Sequence, residues 1–513
     1  MIRAALLAGC SAILGGAIAL VARRRPSVLE RTRTFAFAAA AGVVAFHLLP
    51  EVLSSQGLMA LLWMAAGFAL PWVLEAGART LGPGLLHGRG LSGLRVAAEV
   101  GFAALLFHSV VEGLTLVAAL AQPRGELDLE AAIVAHHAPL TAAVVLPFLD
   151  LGGPRAAAVR AALVAAAGIA GALLSGLLPG FEDAGFLQSA TAVTAGALLH
   201  VVADEIRTQR FTSPLERVTD LLACVAGLLV AGIGAVVHVR EGAASAPVVG
   251  LLRAFGGIFL ACAPALLFGS VASALLAART RFFRWDAFLL ALILLGSRAA
   301  VAWATFTVVL DLPFASFFRG QGARAPAVEL IASIRARAPA ILTLLMVAAG
   351  IEFSTSSFPS SPVPAVALLL LLAFAARLDE AGAVAVAAVL VRKGLDPGLA
   401  VALLALGPLT RAALFLRTLA ARGRLLGAAA LVLQCAVALA AGRLLSVSGV
   451  LAAAPAAAEQ ALSGVRGALA GQVAASPLAA GAAFVLVALA LATLWSAGAR
   501  GWFAPLRHGP STA

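Results

Sequence analysis

Long apolar runs, each about the length of a membrane-crossing helix, follow one another through the first half of this chain. They lie at residues 4–22, 35–53, 57–76, 97–121, 130–149, 157–179, 186–206 and 218–238. A helix needs about 20 mainly apolar residues to cross the hydrocarbon core of a bilayer. The pattern therefore predicts a bundle of eight membrane-crossing helices.

The second half is also apolar, but proline and charged residues interrupt its runs. We predict helices near 249–278, 286–310, 339–353, 362–377, 379–391, 399–417, 424–445 and 478–498, with a surface helix or linker at about 447–476. Short, interrupted runs are typical of broken helices packed around the interior of a transporter. The sequence therefore predicts a second multi-helix bundle.

A Gly-, Ala- and Ser-rich stretch at 241–248 separates the two halves. Seven of the eight histidines precede it, so the distribution of candidate ligands changes there. We predict a first module at 1–240, a linker at 241–248 and a second module at 249–513.

The composition excludes a soluble globular protein. Hydrophobic residues make up 62% of the 513 residues and charged residues 12%, and the mean hydropathy is +1.03. Soluble domains are roughly 45–50% apolar and 25% charged. The predicted fold class is therefore an all-α polytopic membrane protein, with the lipid bilayer as its first partner.

The formal charge of +12 comes almost wholly from arginine, because Lys393 is the only lysine. If the N-terminus is outside, thirteen arginines of the first half lie on the inner side and three on the outer side. This bias follows the positive-inside rule, so the basic charge indicates topology and not a nucleic-acid partner. We expect a multi-pass protein of a bacterial inner membrane.

Two neighbouring apolar runs carry polar residues suited to a metal ion. The fourth predicted helix contains His108, Ser109 and Glu112 on one face. Ionisable groups inside membrane helices are costly and are typically functional. Imidazole nitrogen and carboxylate oxygen suit zinc and related divalent ions. The alternative is a histidine–glutamate hydrogen bond that only ties helices together.

The fifth predicted helix carries His136, His137 and Pro139 at a similar depth. Because this helix runs back beside the fourth after a short connection, we expect one or both histidines to face Glu112. Pro139 lacks a backbone N–H and can leave a carbonyl free near the same level. The four cysteines stand singly, so neither a disulfide nor a thiolate site is predicted. Together these residues predict a mid-membrane metal site.

A short internal repeat relates the second and seventh predicted helices. Residues 41–51 parallel residues 195–205, and the two helices run in opposite directions across the membrane. Inverted repeats are a feature of alternating-access transporters; chance similarity in alanine-rich sequence is the alternative. The repeat predicts an outer mouth and an inner mouth for an ion path, at His47 and Glu51 and at His200, Asp204 and Glu205 respectively.

These motifs resemble the ZIP family of divalent metal transporters. The segment His108 to Gly113 is similar to that family's fourth-helix motif, and His136-His137-Ala138-Pro139 to its fifth-helix motif. The resemblance covers about residues 1–240. It implies that zinc, or a similar metal, is the substrate and moves through a site between helices 4 and 5 by an elevator-like motion. We further expect no enzymatic activity and no organic cofactor, with a homodimer as one arrangement.

The chain also departs from that pattern. The family usually has an acidic residue or histidine just after the fifth-helix proline, whereas Leu140, Thr141 and Ala142 follow here. We therefore expect one metal ion and not two. A degenerate module that senses metal or acts as a scaffold for the second module is an alternative. An intramembrane zinc hydrolase is a weaker one, because no His-Glu-x-x-His motif is present.

The second half more weakly resembles a family of bacterial predicted permeases with two repeats. Residues 379–382, 391–394 and 406–409 fit the second repeat, and the first is harder to identify. Arg377, Asp379 and Glu380 predict either an internal ion pair at a helix break or a solvated loop. Glu352 has the same two interpretations. By the count of helices the arginine-rich stretch 311–337 is expected on the outer side, against the charge rule, so either it lies on the membrane surface or the predicted topology of the second half is wrong.

Overall fold

We analysed a computed structural model of the chain. It describes residues 2–80, 93–120, 126–175, 185–204, 211, 213–240, 245–276, 283–311, 326–354, 369, 372, 379–410, 424–465 and 476–503. Every regular element in these ranges is helical. The all-α fold class is therefore confirmed, whereas the ZIP-like arrangement of the helices stays a prediction.

The chain divides into two compact units. Unit 1 comprises Met1–Val249 and Ala497–Gly501, and unit 2 comprises Gly250–Ser496 and Trp502–Ala513. The division after Val249 lies beside the predicted linker at 241–248. The segment Ala497–Gly501 differs from the predicted modules, because it packs with the first half of the chain.

That segment is held in unit 1 by buried polar contacts. The backbone N–H of Ala499 donates to Asp220 Oδ2 at 3.0 Å, and Arg500 Nε donates to Thr34 Oγ1 at 3.1 Å. Arg500 also forms an ion pair with Glu30. The partners are hundreds of residues apart in the chain, so no local sequence pattern indicates this contact.

Unit 1 is a helical bundle centred on one long element. Its helices are α1 (Ile2–Ala22), α2 (Pro26–Val43), a π-helix (Val44–Leu48), α3 (Leu49–Gln56), α4 (Leu58–Thr80), α5 (Gly93–Leu120), α6 (Glu126–Leu174), α7 (Gly185–Asp204) and α8 (Pro214–Arg240). α6 packs against α1, α2, α5 and α8, and α4 packs against α7.

α6 is a tight helical hairpin and not one straight helix. Its backbone reverses at Gly153, which has φ 73° and ψ −174°, a conformation that favours glycine. Ser11 of α1 contacts His137, while Gly9, half a turn away, meets Ile169. His137 and Ile169, which lie on opposite sides of Gly153 in the chain, therefore contact α1 at the same height. The two limbs, 126–152 and 154–174, correspond to the fifth and sixth predicted helices.

The second predicted helix contains a π-helical turn that the sequence did not indicate. Val44–Leu48 forms this turn, and the N–H of Leu49 donates to the carbonyl of Val44. Pro50 explains it, because proline lacks an N–H and its ring clashes with the carbonyl four residues earlier. π-turns of this kind are frequent at functional sites, and this one includes His47.

Unit 2 begins within α9 and consists mostly of shorter helices. They are α9 (Ser245–Leu276), α10 (Trp285–Leu294), α11 (Ser297–Asp311), α12 (Pro326–Ser354), α13 (Glu380–Arg392), α14 (Pro397–Thr410), α15 (Arg424–Val447), α16 (Ala454–Ala461) and α17 (Pro477–Ala497). The last helix, α18 (Ala499–Trp502), begins in the unit 1 segment Ala497–Gly501. The predicted run 286–310 is broken into α10 and α11 at Gly296, where φ is 85°. The predicted run 362–377 lies outside the residues that can be described, apart from 369 and 372.

Five described helical segments are long and apolar enough to cross a membrane. They are Ile2–Ala22, His137–Leu174, Val249–Leu276, Leu330–Phe353 and Pro477–Ala497. These segments support a membrane-spanning protein, as the composition predicted.

Asp379, Glu380 and Glu352 are buried, so their interpretation as parts of solvated loops is wrong. Asp379 and Glu380 are 2% and 3% exposed, and Asp379 forms an ion pair with Arg337. Glu352 is buried and forms an ion pair with Arg392. Arg337, the last residue of the stretch 311–337, is also buried, and the side of the membrane on which this stretch lies stays a prediction. Arg377 lies outside the described residues.

Candidate metal centre

The centre of unit 1 begins on one face of α5. His108, Ser109 and Glu112 lie within about one turn, as the spacing predicted. His108 is 5% exposed and Ser109 is fully buried, while the Glu112 side chain is 17% exposed. His108 Nε2 lies 3.5 Å from Glu112 Oε1.

The first limb of α6 brings His137 to the same place. Its Nε2 lies 3.0 Å from Ser109 Oγ and 3.7 Å from Glu112 Oε2. His137 is 1% exposed, so the ring is enclosed by protein on all sides. The structure thus brings together four of the five predicted ligands, His108, Ser109, Glu112 and His137.

A serine on α1 completes the surroundings of His137, and the sequence did not indicate it. Ser11 Oγ lies 2.7 Å from His137 Nδ1 and 3.0 Å from the carbonyl oxygen of Ala8. Ser11 is 1% exposed. α1 contains no histidine or acidic residue, so only the packing of α1 on α6 shows that Ser11 belongs to the centre.

Ser11 and Ser109 contact the two ring nitrogens of His137 in equivalent ways. Ser109 Oγ also lies 2.8 Å from the carbonyl oxygen of Leu105, so each hydroxyl has a backbone carbonyl and a ring nitrogen as partners. A carbonyl can only accept a hydrogen bond, and a neutral imidazole has one N–H and one lone pair. In the tautomer in which Ser11 accepts the Nδ1–H of His137, the lone pair is on Nε2, which faces Ser109 and Glu112 and can bind a metal.

Glycines permit the close helix contacts that assemble this centre. A Cβ on Gly15 of α1 would lie 2.2 Å from the carbonyl oxygen of Ala138, one residue after His137. A Cβ on Gly113 of α5 would lie 2.2 Å from the carbonyl oxygen of Gly168 in the second limb of α6. Small residues that let backbones approach are typical of helix packing in membranes.

The donors are of the types that bind zinc, and two of their pairwise separations are compatible with a shared ion. Two ligands about 2.1 Å from a tetrahedral zinc are about 3.4 Å apart, close to the 3.5 Å and 3.7 Å separations of the imidazoles from Glu112. The two imidazoles approach different oxygens of the carboxylate. Within the described ranges, no group of three or more His, Cys, Asp and Glu side chains is arranged so that it could hold a metal ion.

A buried hydroxyl occurs where the resemblance leads us to expect a further ligand. Leu140 is fully buried and apolar. Thr141 lies one turn after His137, is fully buried, and its Oγ1 has no hydrogen-bond partner in the part of the chain that the structure describes. Its i,i+4 spacing from His137 was the sequence signal that could have identified it.

The other predicted site residues are the fifth predicted ligand, His136, and the residues of the two predicted mouths. The side chains of His136, His47, Glu51 and Asp204 lie outside the described set, as does the whole of Glu205. His200 is buried, and its Nδ1 donates to the carbonyl of Phe68 in α4 at 2.8 Å. His200 therefore contacts the packed surface between α7 and α4.

The chain was compared with protein-family models, with curated proteins and with solved structures. None of these comparisons finds a match.

Proposed function

We propose that the chain transports a divalent metal ion, with zinc as the first candidate, through unit 1. The observation that carries this proposal is the buried meeting of His108, Glu112 and His137 between α5 and the first limb of α6. The ion is the substrate of this site and not a permanent structural cofactor.

Electrostatics supports a cation at this place. A carboxylate buried among apolar helices is unfavourable unless a partner or a bound cation offsets its charge. Neutral imidazoles add two nitrogen donors without adding charge. Nitrogen and oxygen donors without thiolates favour zinc and its neighbours over copper(I).

The proposed path runs through the two mouths predicted from the inverted repeat. Glu51, with His47 in the π-helical turn, draws the ion in from the outer side. His200, Asp204 and Glu205 receive it on the inner side. The direction is uptake across a bacterial inner membrane, and unit 1 performs the step without enzymatic chemistry.

Zinc uptake into proteoliposomes that contain the full chain tests the proposal. We expect His108→Ala and Glu112→Ala each to lower the initial rate by about tenfold or more, because each removes a donor. Glu216→Ala is the matched control, since it removes a carboxylate at the start of α8. Uptake by the two site variants at the wild-type rate would overturn the proposal.

One observation favours a second candidate function. Leu140 is buried and apolar, at a position where ZIP transporters usually have a ligand. A unit 1 that binds zinc but does not release it across the membrane would act as a sensor or scaffold for unit 2. Zinc binding without uptake in the same proteoliposomes distinguishes this function from transport.

A further inference from the structure

Unit 2 contains an internal repeat that the sequence did not reveal. Each copy has an Arg-x-Asp triplet, a short helix, a glycine with positive φ and a second helix. In the first copy, the triplet 284–286 overlaps the start of α10, and Gly296 and α11 follow. In the second copy, the triplet 377–379 directly precedes α13, and Gly394 and α14 follow. φ is 85° at Gly296 and 113° at Gly394. The first copy is shorter, which hides the repeat in a sequence comparison.

The two short helices lie side by side and run in the same direction. At their N-terminal ends, Asp286 and Asp379 both contact Arg337 of α12. At their C-terminal ends, both meet α16: a Cβ on Gly296 would lie 3.4 Å from Ala457, and Arg392 Nη1 lies 3.5 Å from Glu459. α10 packs against α13, and α11 packs against α14.

Neither short helix can cross a bilayer. At 1.5 Å per residue, α10 is about 15 Å long and α13 about 20 Å long, whereas the hydrocarbon core is about 30 Å thick. Paired half-helices whose N-termini meet inside the protein form the ion and substrate sites of many transporters.

One guanidinium sits between the two aspartates. Arg337 Nε donates to Asp379 Oδ2 at 2.7 Å and its Nη2 donates to Asp379 Oδ1 at 3.1 Å, while its Nη1 donates to Asp286 Oδ2. Asp379 thus accepts two N–H groups of Arg337, whereas Asp286 accepts one from Arg337 and two from Arg284. Asp379 Oδ1 also accepts the N–H of Gly382 at 3.1 Å.

Other charged groups also face Asp286. Arg284 Nη2 lies 3.3 Å from Asp286 Oδ2 and 3.9 Å from Asp379 Oδ2, and buried Glu380 follows Asp379. The ionisable residues Glu352, Arg392 and Glu459 lie at the other end of α13. Arg298 of α11 and Arg335 of α12 are exposed. Three carboxylates and two guanidiniums therefore meet where α10 and α13 begin.

A cavity of about 210 Å³ gives access to this centre. Arg337, Ser270 and Ser333 line it, together with apolar residues such as Phe259 and Ile341. Gly269 precedes Ser270, and a Cβ on it would lie 2.2 Å from Asp286 Cα. The cavity therefore reaches the buried ion pairs through the side chain of Arg337.

We propose that unit 2 has its own proton-binding site, and that Asp286 is the group that takes up the proton. Asp286 is 0% exposed, and the cluster holds three carboxylates against two guanidiniums, so burial of the excess negative charge favours uptake of one proton. The proton, delivered by water, bonds to Oδ2 of Asp286 and replaces the contact with Nη1 of Arg337. The guanidinium stays charged and remains bound to Asp379.

Proton uptake then has a mechanical consequence. While Asp286 is charged, the ion pairs of Arg337 with Asp286 and Asp379 link both α10 and α13 to α12. With Asp286 protonated, Arg337 is bound only to Asp379, so α10 loses its ion pair with α12 while Arg284 still contacts Asp286 and Asp379. A shared guanidinium between two aspartates is thus a two-state element of the kind that couples a proton to a conformational change. This inference does not depend on metal binding by unit 1.

Infrared difference spectroscopy of the full, zinc-free chain in nanodiscs tests the proposal. Lowering the pH should produce the carbonyl band of a buried carboxylic acid. We expect Asp286→Asn to remove this band, Asp286→Glu to restore it at a shifted frequency, and Asp379→Asn to retain it. Asp396→Asn is the matched control, because Asp396 caps α14 and contacts Ser446 away from Arg337.

Three outcomes would overturn the inference. The band persists in Asp286→Asn, or it disappears in Asp379→Asn alone, or no carboxylic acid forms at any pH at which the chain stays folded. The last result would mean that the cluster is a permanent structural ion pair. A proton flux into liposomes that Asp286→Asn abolishes, and Asp396→Asn leaves unchanged, would link the site to transport.

Discussion

Two serine hydroxyls hold His137, and they have different roles. Ser11 contacts Nδ1 and Ser109 contacts Nε2, and each hydroxyl also lies near a carbonyl of its own helix. Nε2 is the atom that faces Glu112, so Ser109 must give way when a metal binds. Ser11 can stay in place and fix the ring. It is therefore a positioning residue, and Ser109 is a direct competitor or ligand.

Removing the Ser11 hydroxyl should weaken zinc binding. We expect Ser11→Ala to lower the zinc affinity of the full chain by about tenfold, because the ring loses the hydroxyl that accepts its Nδ1–H in the tautomer that can bind a metal. Binding titrations of the full chain with zinc measure the loss. Ser175→Ala removes a hydroxyl that bonds a backbone carbonyl and should leave the affinity unchanged. Equal effects of the two variants would contradict the role of Ser11.

At the level of residues, the sequence predicted the contacts that follow from helix periodicity. The i,i+4 spacing placed His108 and Glu112 together, and the short connection to the next helix placed His137 beside them. Ser11 could not be predicted, because its contact depends on how α1 packs. The ion pairs of Arg337 could not be predicted for a similar reason. Its aspartate partners lie 51 and 42 residues away, and it occurs as a single arginine in a basic stretch.

At the scale of the elements, the candidate metal centre depends on how α5 packs against the two limbs of the α6 hairpin. α5 contacts both limbs, with Ser109 against His137 and Gly113 against Gly168. The distance between α5 and the second limb therefore also controls the position of the ligands on α5. The sequence placed the reversal correctly in the loop between the fifth and sixth predicted helices, where glycine and proline interrupt the apolar run.

Widening this contact should disturb both stability and zinc binding. Gly113→Ala places a Cβ against backbone atoms that cannot rotate away, and we expect a loss of about 1–3 kcal/mol in the free energy of unfolding. Gly232→Ala in α8 is the control, because a Cβ there meets nothing within 4 Å. Thermal unfolding in detergent compares them. A Gly113→Ala protein as stable as Gly232→Ala would show that the helices do not pack this closely.

The relative direction of α12 and α13 in unit 2 could not be predicted from the local sequence pattern. Arg337 and Glu352 of α12 pair with Asp379 and with Arg392 of α13 in the same order along both helices. The two helices therefore run parallel, with ion pairs about 20 Å apart at 1.5 Å per residue. Periodicity identified α13, but not the ion pairs that fix its direction.

On the scale of the whole molecule, the two units contain buried polar centres of different chemistry. The candidate metal centre of unit 1 has imidazole, hydroxyl and carboxylate donors without an arginine among the contacts described, which suits a metal cation. The centre where α10 and α13 begin in unit 2 has carboxylates paired with guanidiniums, which suits a proton. The distribution of histidines along the sequence already suggested this difference, but the burial of the second centre became visible only in the fold.

The central claim is that one divalent metal ion binds in unit 1 through histidine and carboxylate. Zinc content and zinc X-ray absorption of the purified full chain test it most directly. We predict one zinc per chain, with nitrogen and oxygen neighbours at about 2.0–2.2 Å and no sulfur at about 2.3 Å. The ion should be lost when His108 and His137 are both replaced by alanine. Two zinc ions per chain, sulfur neighbours, or zinc retained in that double variant would contradict the account.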